Sequence, residues 1–310
     1  MDDMTKNLDA SSADGTTSTT GTSREGRTMG TLYLVPTPIG NLEDITYRAV
    51  RVLQEADLIA AEDTRHSGLL LKQLDIQKPL TSYHEHNKAV KGPQLIEKLS
   101  NGETIAVVSD AGMPAISDPG ADLVTLAIEA GIPIVPLPGP NAALTALTAA
   151  GMDTTEFTFF GFLPKKSKNR KALLARAATY GGTLLFYEAP HRLEQTLQEL
   201  YEGLGNRPIT IARELTKRFE TFVRTDLASV TADPSMLTIR GEFVLLVGGC
   251  QTAEASDDSV AAMPTEETYV TTVQALMADG VPKKEAIRET AKRLGVARRD
   301  VYNAVEQALR

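Results

Sequence analysis

From Gly30 onward, short apolar runs alternate with longer stretches in which apolar positions recur every three or four residues. The first run, "GTLYLVPTPIGN", breaks at Pro36 and Pro38; "EDITYRAVRVLQEADLIAAEDTR" then sets Ile45, Val50, Leu53 and Ala56 at helical spacing before a second short strand around 58–61. That order, β, α, β, repeats. A helix precedes the strand in "NGETIAVVSDAG", another lies in "GADLVTLAIEAG", and the strand "IPIVPLPGP" leads into the helix "NAALTALTAAG". Strands that are apolar throughout, each followed by a helix, predict a mainly parallel sheet covered on both faces. Ligands of such sheets bind outside the strand C-termini.

A second αβ region begins at "EFTFFGFLP", passes through a basic stretch and returns to the strands "GGTLLFYEA", "RPITIARELT" and "GEFVLLVGG". Alternation in "TKRFETFVRTDL" predicts antiparallel or mixed pairing here. Pro136, Pro138 and Pro140 make the segment between the halves a stiff hinge. The polar, small-residue stretch 251–264 reads as a linker, followed by three short amphipathic segments broken at Gly280 and Gly295, a small helical domain of helix-turn-helix type. The fold class is therefore α/β: an N-terminal αβ domain over 30–138, a second αβ domain over 139–250, the linker, and a helical domain over 265–310. Residues 1–29, rich in Ser, Thr, Gly and Asp, bury too little to offset their ordering entropy and are expected to be disordered. Met29 stands just before the first strand and is a second candidate start.

Composition narrows the classes. With 310 residues, 42% of them hydrophobic, the chain can bury a sizeable core. The single cysteine, Cys250, excludes an internal disulfide and reads as a buried structural residue. No apolar leader or spanning run appears, which points to a cytoplasmic protein without a membrane segment. A net charge of −8 gives no global nucleic-acid signature, so any such contact rests on local basic patches.

The stretch "SDAGMPAISDPG" after the fourth strand carries the candidate chemistry. No G-x-G-x-x-G or G-x-x-x-x-G-K-[ST] occurs, so the usual nucleotide-phosphate cradles are absent. Asp110 and Asp118 would repel phosphate but suit a cation or a hydroxyl donor, and Ala111, Gly112 and Pro114 leave the backbone open to close approach. An adenosine bearing a sulfonium and an amino group fits that chemistry. A tight structural turn, with both acids capping helices, fits the spacing too.

Taken together, "TLYLVPTPIGNLEDITYRA", "AEDTR", "SDAGMPAISDPG", "LPGPNAALTAL", "FYEAPHRL" and "ARELTK" resemble the tetrapyrrole-methylase-type ribosomal RNA methyltransferases over roughly residues 31 to 250, and the helical tail resembles that family's C-terminal domain. The resemblance implies an S-adenosylmethionine-dependent enzyme, usually a homodimer, that methylates the ribose 2′-oxygen of a decoding-centre cytidine in 16S rRNA. It implies a cofactor cleft between the two αβ domains, lined by Ile39, by Asp110, Gly112 and Met113, by Asn141 and Ala142, and by Tyr187 and Ala212. One departure stands out: relatives acting on tetrapyrroles have a glycine-rich first loop, where this chain has "PTPIGN".

A sulfonium is already an activated leaving group, so the protein must align a ribose hydroxyl and accept its proton. Candidate bases at the ends of the first-domain strands are Glu62 and Asp63, with His84 and Glu85 as further options; Arg65 is placed to bind an RNA phosphate or pair with one of these acids. The plain alternatives are a solvated, salt-bridged turn for "EDTR" and surface positions for His84 and His86. His84 and His86 lack a third ligand at a familiar spacing, and no metal site is expected. For RNA contact, "KKSKNRKALLAR" supplies Lys165, Lys166, Lys168, Arg170, Lys171 and Arg176, and the tail adds Lys283, Lys284, Arg288, Lys292, Arg293, Arg298 and Arg299. The plain alternative is a solvated helix face. Two rival classes remain: a small-molecule, tetrapyrrole-type methyltransferase, which has no use for a basic tail, and a non-enzymatic nucleic-acid-binding regulator, which leaves the acidic loop unused.

Overall fold

The computed structural model describes residues 29–250, 266–278, 280–294, 296 and 298–308. Residues 1–28 of the expected disordered extension, the expected linker 251–264 and the break at Gly295 lie outside them. Met29 packs against the core of the first sheet.

Five strands make that sheet: β1 (Leu32–Leu34), β2 (Leu58–Ala61), β3 (Leu80–Ser82), β4 (Ile105–Val108) and β5 (Ile134–Pro136). Their order is β3-β2-β4-β1-β5, every pair parallel. Between them run α1 (Tyr47–Glu55), α2 (Thr64–Gln73), α3 (Lys88–Ser100) and α4 (Gly120–Glu129). β2 and β4 are buried at every residue because both faces are covered: Val52, Leu53 and Leu71 of α1 and α2 pack on one, Leu95, Leu99 and Leu123 of α3 and α4 on the other. The chain steps one way through β2 and β3, then back through β4 and β5. Adjacent strands β1 and β4 therefore send their following helices to opposite faces, and a crevice opens beyond their C-terminal ends.

The second sheet has β6 (Phe157–Phe162), β7 (Thr183–Glu188), β8 (Pro208–Arg213), β9 (Thr221–Asp226) and β10 (Phe243–Val247) in the order β6-β7-β10-β8-β9. Only β6 and β7 pair in parallel, as the mixed pattern of alternation suggested. One face packs on α6 (Ser167–Ala177), α7 (Leu193–Leu204) and α8 (Leu227–Ala232); the other is covered by α5 (Ala142–Ala150), whose Ala143, Ala146 and Leu147 meet Leu185, Val244 and Leu246. Ile39, from the loop after β1, joins that second-sheet core and so ties the two sheets together. Cys250 is only half-buried, beyond the end of β10.

The chain divides into two compact units, 1–251 and 252–310. In the second, α9 (Glu266–Ala278), α10 (Lys283–Leu294) and α11 (Arg298–Ala308) close on their own core of Tyr269, Val273, Ala286, Ile287, Val301, Ala304 and Val305. Among the described residues no helix is long and apolar enough to cross a membrane.

Candidate active site

The crevice beyond β1 and β4 is a cavity of about 390 Å³, within the usual size range for a small-molecule site. The loops after those strands are stitched together: Thr37 and Gly112 exchange backbone hydrogen bonds of 3.0 Å in both directions, and the Thr37 hydroxyl donates to the Ser109 carbonyl at 3.1 Å. Gly112 sits at φ +80°, and a Cβ there would stand 3.2 Å from Ile39 Cγ2. Any side chain at this position would be strained and would crowd the cavity wall.

Of the residues expected at the cofactor, Ile39, Asp110, Gly112, Met113, Asn141, Ala142 and Tyr187 all line the cavity. Ala212 does not. It is fully buried in β8, one strand beyond the wall, paired with the lining residue Val244 of β10 and packed with α5. Asn141 caps α5, its side chain accepting from Leu144 N at 3.0 Å, and the Tyr187 hydroxyl accepts from Ala143 N at 3.2 Å. Burial pushes the Tyr187 phenol above its ordinary pKa.

Three carboxylates approach the cavity from the first sheet. Asp110 accepts from Asp63 N at 3.0 Å, which joins the loop after β2 to the loop after β4. Asp118, one residue before the Pro119 N-cap of α4, accepts from Ala115 N at 2.9 Å and from Gly120 N, the first N–H of that helix, at 2.7 Å through Oδ1, yet its Oδ2 is buried without a hydrogen-bond partner. Burial raises its pKa despite those N–H donors. Glu62 also lines the cavity, and its pKa is raised, first by burial and then by the negative charges of Asp110 and Asp118.

The other catalytic candidates face away. Asp63 caps α2, accepting from Arg65 N at 2.8 Å, and pairs with the exposed Arg65 guanidinium at 2.9 Å; this pairing holds its carboxyl at about 2. The salt-bridged turn read in "EDTR" is thus what Asp63 and Arg65 form. His84 packs on Asn87, Glu85 pairs with Lys88 at 2.8 Å, and His86 is exposed; none of the three lines the cavity. Among the described residues no cluster of His, Cys, Asp or Glu is placed to hold a metal ion.

Of the second sheet's contribution, sequence reasoning found Tyr187 but missed the rest. Phe162, Glu188, Leu215, Glu242, Phe243 and Val244 complete the lining. Glu188 is buried and engaged, its oxygens accepting from Thr196 Oγ1 at 2.6 Å and Ala189 N at 2.9 Å. Two loops, one from each half, have left-handed non-glycine residues on either side of an apolar lining residue: Ala115 and Ser117 flank Ile116, and Glu214 and Thr216 flank Leu215. Backbone of this kind persists only where surrounding structure holds it, and it gathers at ligand sites.

Among the basic residues, Lys165, Lys166, Lys168 and Lys171 are exposed at the start of α6. Arg170 is withdrawn from that group: it pairs with Glu199 at 2.6 Å and donates to the carbonyls of Pro164 and Lys165, fixing the turn instead of offering a free guanidinium. Arg176 lies over the Phe160 ring. In the helical unit Lys283 pairs with Glu306 and Arg288 with Glu285, whereas Arg298 and Arg299 are exposed. The side chains of Lys292 and Arg293 lie outside the described residues.

Residues 31–231 match the model of the tetrapyrrole (corrin/porphyrin) methylases. The chain is 50% identical over 282 residues to the ribosomal RNA small subunit methyltransferase I of Halalkalibacterium halodurans, covering 90% of this chain and 95% of that one. It is 46% identical to the protein of the same name from Bacillus subtilis, covering 89% and 94%. In fold it resembles the uroporphyrin-III C-methyltransferase of Thermus thermophilus solved with S-adenyl homocysteine, with a TM-score of 0.51 at 19% identity over 71% of this chain and 97% of that one. A cavity at the crossing of two αβ sheets, a match through both of them and half of all aligned residues shared with a named relative lead to one statement: this chain belongs to the tetrapyrrole methylase family and, within it, to the ribosomal RNA small subunit methyltransferase I group.

Proposed function

We propose that the chain uses S-adenosylmethionine to methylate the ribose 2′-oxygen of a decoding-centre cytidine in 16S rRNA. The observation that carries this reading is the charge of the cavity wall. Glu62, Asp110 and Asp118 converge there, and no Lys or Arg stands among the lining residues. Such a wall repels phosphate-bearing cofactors and favours a cationic donor.

The residues fit that donor. Asp118 Oδ2, buried and unpartnered, offers an acceptor to an amino or hydroxyl group, while Ile39, Ala142, Leu215 and Val244 offer an apolar face. When bound, the sulfonium supplies an electrophilic methyl group and a neutral leaving group. The solved Thermus thermophilus relative was complexed with S-adenyl homocysteine, the demethylated form of the same molecule.

Of the acids suggested as a base, Glu62 is the one in the cavity, and its raised pKa makes it a stronger proton acceptor than an ordinary carboxylate. It takes the 2′-hydroxyl proton as the oxygen is alkylated. Asp110 acts beside it, keeping the Glu62 carboxyl basic while its own hydrogen bond to Asp63 N fixes the loops. Lys165, Lys166, Lys168 and Lys171 supply phosphate contacts that orient the RNA without reading its sequence. The same reading expects a cytoplasmic homodimer, checked by light scattering.

The test is a reaction with methyl-deuterated S-adenosylmethionine and small ribosomal subunits lacking the modification, followed by mass-spectrometric mapping. One deuterated 2′-O-methylcytidine in the decoding centre is expected. A methyl group on a base, or none on RNA, overturns the reading, and methylation of a porphyrin precursor in a parallel reaction would establish the small-molecule alternative.

A further inference from the structure

Strand β6 contains an irregularity that the sheet does not need. Phe159 pairs with Leu185 of β7 and Gly161 with Phe186, so Phe160 is an extra residue, in a parallel pair where bulges are rare. Regular alternation would put Phe160 and Phe162 on the same face. The bulge breaks that phase. Phe160 goes to the helix-covered core and stacks on Phe186 at 5.1 Å, while Phe159 and Phe162 both pack edge-on against Tyr187, at 4.9 and 5.7 Å. Gly161, at φ +64°, makes the shift possible, and a Cβ there would stand 3.2 Å from Ser117 Oγ on the first-sheet loop.

The outcome is a large aromatic side chain at the cavity mouth, still 51% exposed. The backbone that follows it is anchored. Arg192 donates to the Leu163 carbonyl at 3.0 Å, and Arg170 donates to those of Pro164 and Lys165. The next residues are the exposed Lys165, Lys166 and Lys168. A fixed, open aromatic face between a methyl-transfer cavity and a row of cations has the two components of a single-stranded RNA site, a stacking platform and a phosphate track.

We infer that Phe162 is the stacking platform for an unpaired nucleobase of the RNA substrate, the base whose ribose enters the cavity. This rests on the proposed action on rRNA. A 2′-hydroxyl held inside a duplex cannot enter a cavity of about 390 Å³ lined from both sheets without its nucleotide leaving the stack, and a protein aromatic replaces the lost neighbour. Phe162 is a positioning residue: it touches the substrate base and not the reacting atoms.

Phe162→Ala, Phe162→Tyr and Phe162→Trp, made in the full chain, test this with unmodified small subunits. Removing a base-stacking partner is expected to raise the KM for subunits about tenfold, with the KM for S-adenosylmethionine unchanged and both aromatic variants restoring the wild-type value. Since the chain contains no tryptophan, Phe162→Trp also places a single tryptophan, excited apart from the tyrosines, at the site. Its emission is expected to be quenched by a 16S rRNA transcript and to ignore S-adenosylhomocysteine. Quenching by S-adenosylhomocysteine alone, or a raised KM for the cofactor in Phe162→Ala, makes the ring a cofactor wall and overturns the inference. Wild-type kinetics in Phe162→Ala overturn it too, and leave the proposed function standing. A wild type that methylates no RNA removes both.

Discussion

Neighbours in this sequence meet different fates. Asp63 has extended backbone, φ −114° and ψ 110°, where successive side chains point to opposite sides; Glu62 faces the cavity while Asp63 caps α2. A run of acids and an arginine shows that charge is present, but not which way each carboxylate turns, because that depends on the strand ending at Ala61. The two positions therefore separate in experiment. Glu62→Gln is expected to lower kcat by about 10²- to 10⁴-fold, the usual contribution of a positioned base. Single-turnover rates at saturating substrates measure it. Since the Glu62 pKa is raised, kcat/KM of the wild type should climb with pH through a value above that of an ordinary glutamate, and Asp110→Asn, removing one cause of the rise, should move that limb to lower pH. Stability runs the other way. A raised folded-state pKa favours the fold at low pH, and that advantage is lost as pH rises through it. Glu62→Gln should accordingly melt no lower than wild type at neutral pH. Asp63→Ala should keep kcat and lower Tm. Its depressed pKa stabilises the fold above the ordinary carboxylate range, so the Tm difference should shrink as pH falls from there towards about 2.

At the scale of elements, the parallel first sheet was readable because both of its faces are covered and its strands are apolar throughout; "IAVV" at 105–108 has no exposed position. The loops that make the cavity followed from that sheet, since ligands of such folds lie beyond the strand C-termini. What resisted reading was most of the second sheet's share of the wall beyond Tyr187. Phe162, Leu215, Glu242 and Val244 are separated by up to 82 residues and meet only through the β6-β7-β10-β8 pairing, which no local pattern encodes. The family resemblance implies Ala212 at the wall, but the residue of that segment that lines the cavity is Leu215, three positions later. The bulge in β6 had one signal, a glycine inside a strand pattern. Gly161→Ala puts a Cβ in left-handed backbone and should cost about 1–2 kcal/mol of stability, read by denaturant titration. It should also raise the KM for subunits, since the phase of the strand decides where Phe162 points. Asn141 is legible as the N-cap of α5, and its side chain is already committed to Leu144 N. Asn141→Ala should cost about 0.5–2 kcal/mol, whereas Asn141→Asp should retain most of the stability.

At the scale of the whole molecule, the proposed function requires an acidic protein to bind a polyanion. The net charge of −8 opposes approach to RNA, so affinity has to come from local cations that displace counterions. Four exposed lysines on one turn and helix, Lys165, Lys166, Lys168 and Lys171, are expected to contribute about three units to the slope of log affinity against log salt, and replacing all four with glutamine should flatten it by that amount. The remaining slope belongs to other cations, with Lys284, Arg298 and Arg299 of the helical unit among the exposed candidates. That unit has its own core, and every residue lining the cavity lies in the other one. Removing residues 265–310 is therefore expected to leave S-adenosylhomocysteine affinity and the melting of the αβ unit close to those of the full chain, by calorimetry on both proteins. Affinity for small-subunit RNA should fall, and the salt slope with it, because phosphate contacts are lost while the methyl-transfer cavity stays intact. Equal loss of cofactor and RNA binding would mean that the helical unit is needed to form the cavity, and would remove the division of labour between a catalytic αβ unit and an RNA-gripping tail.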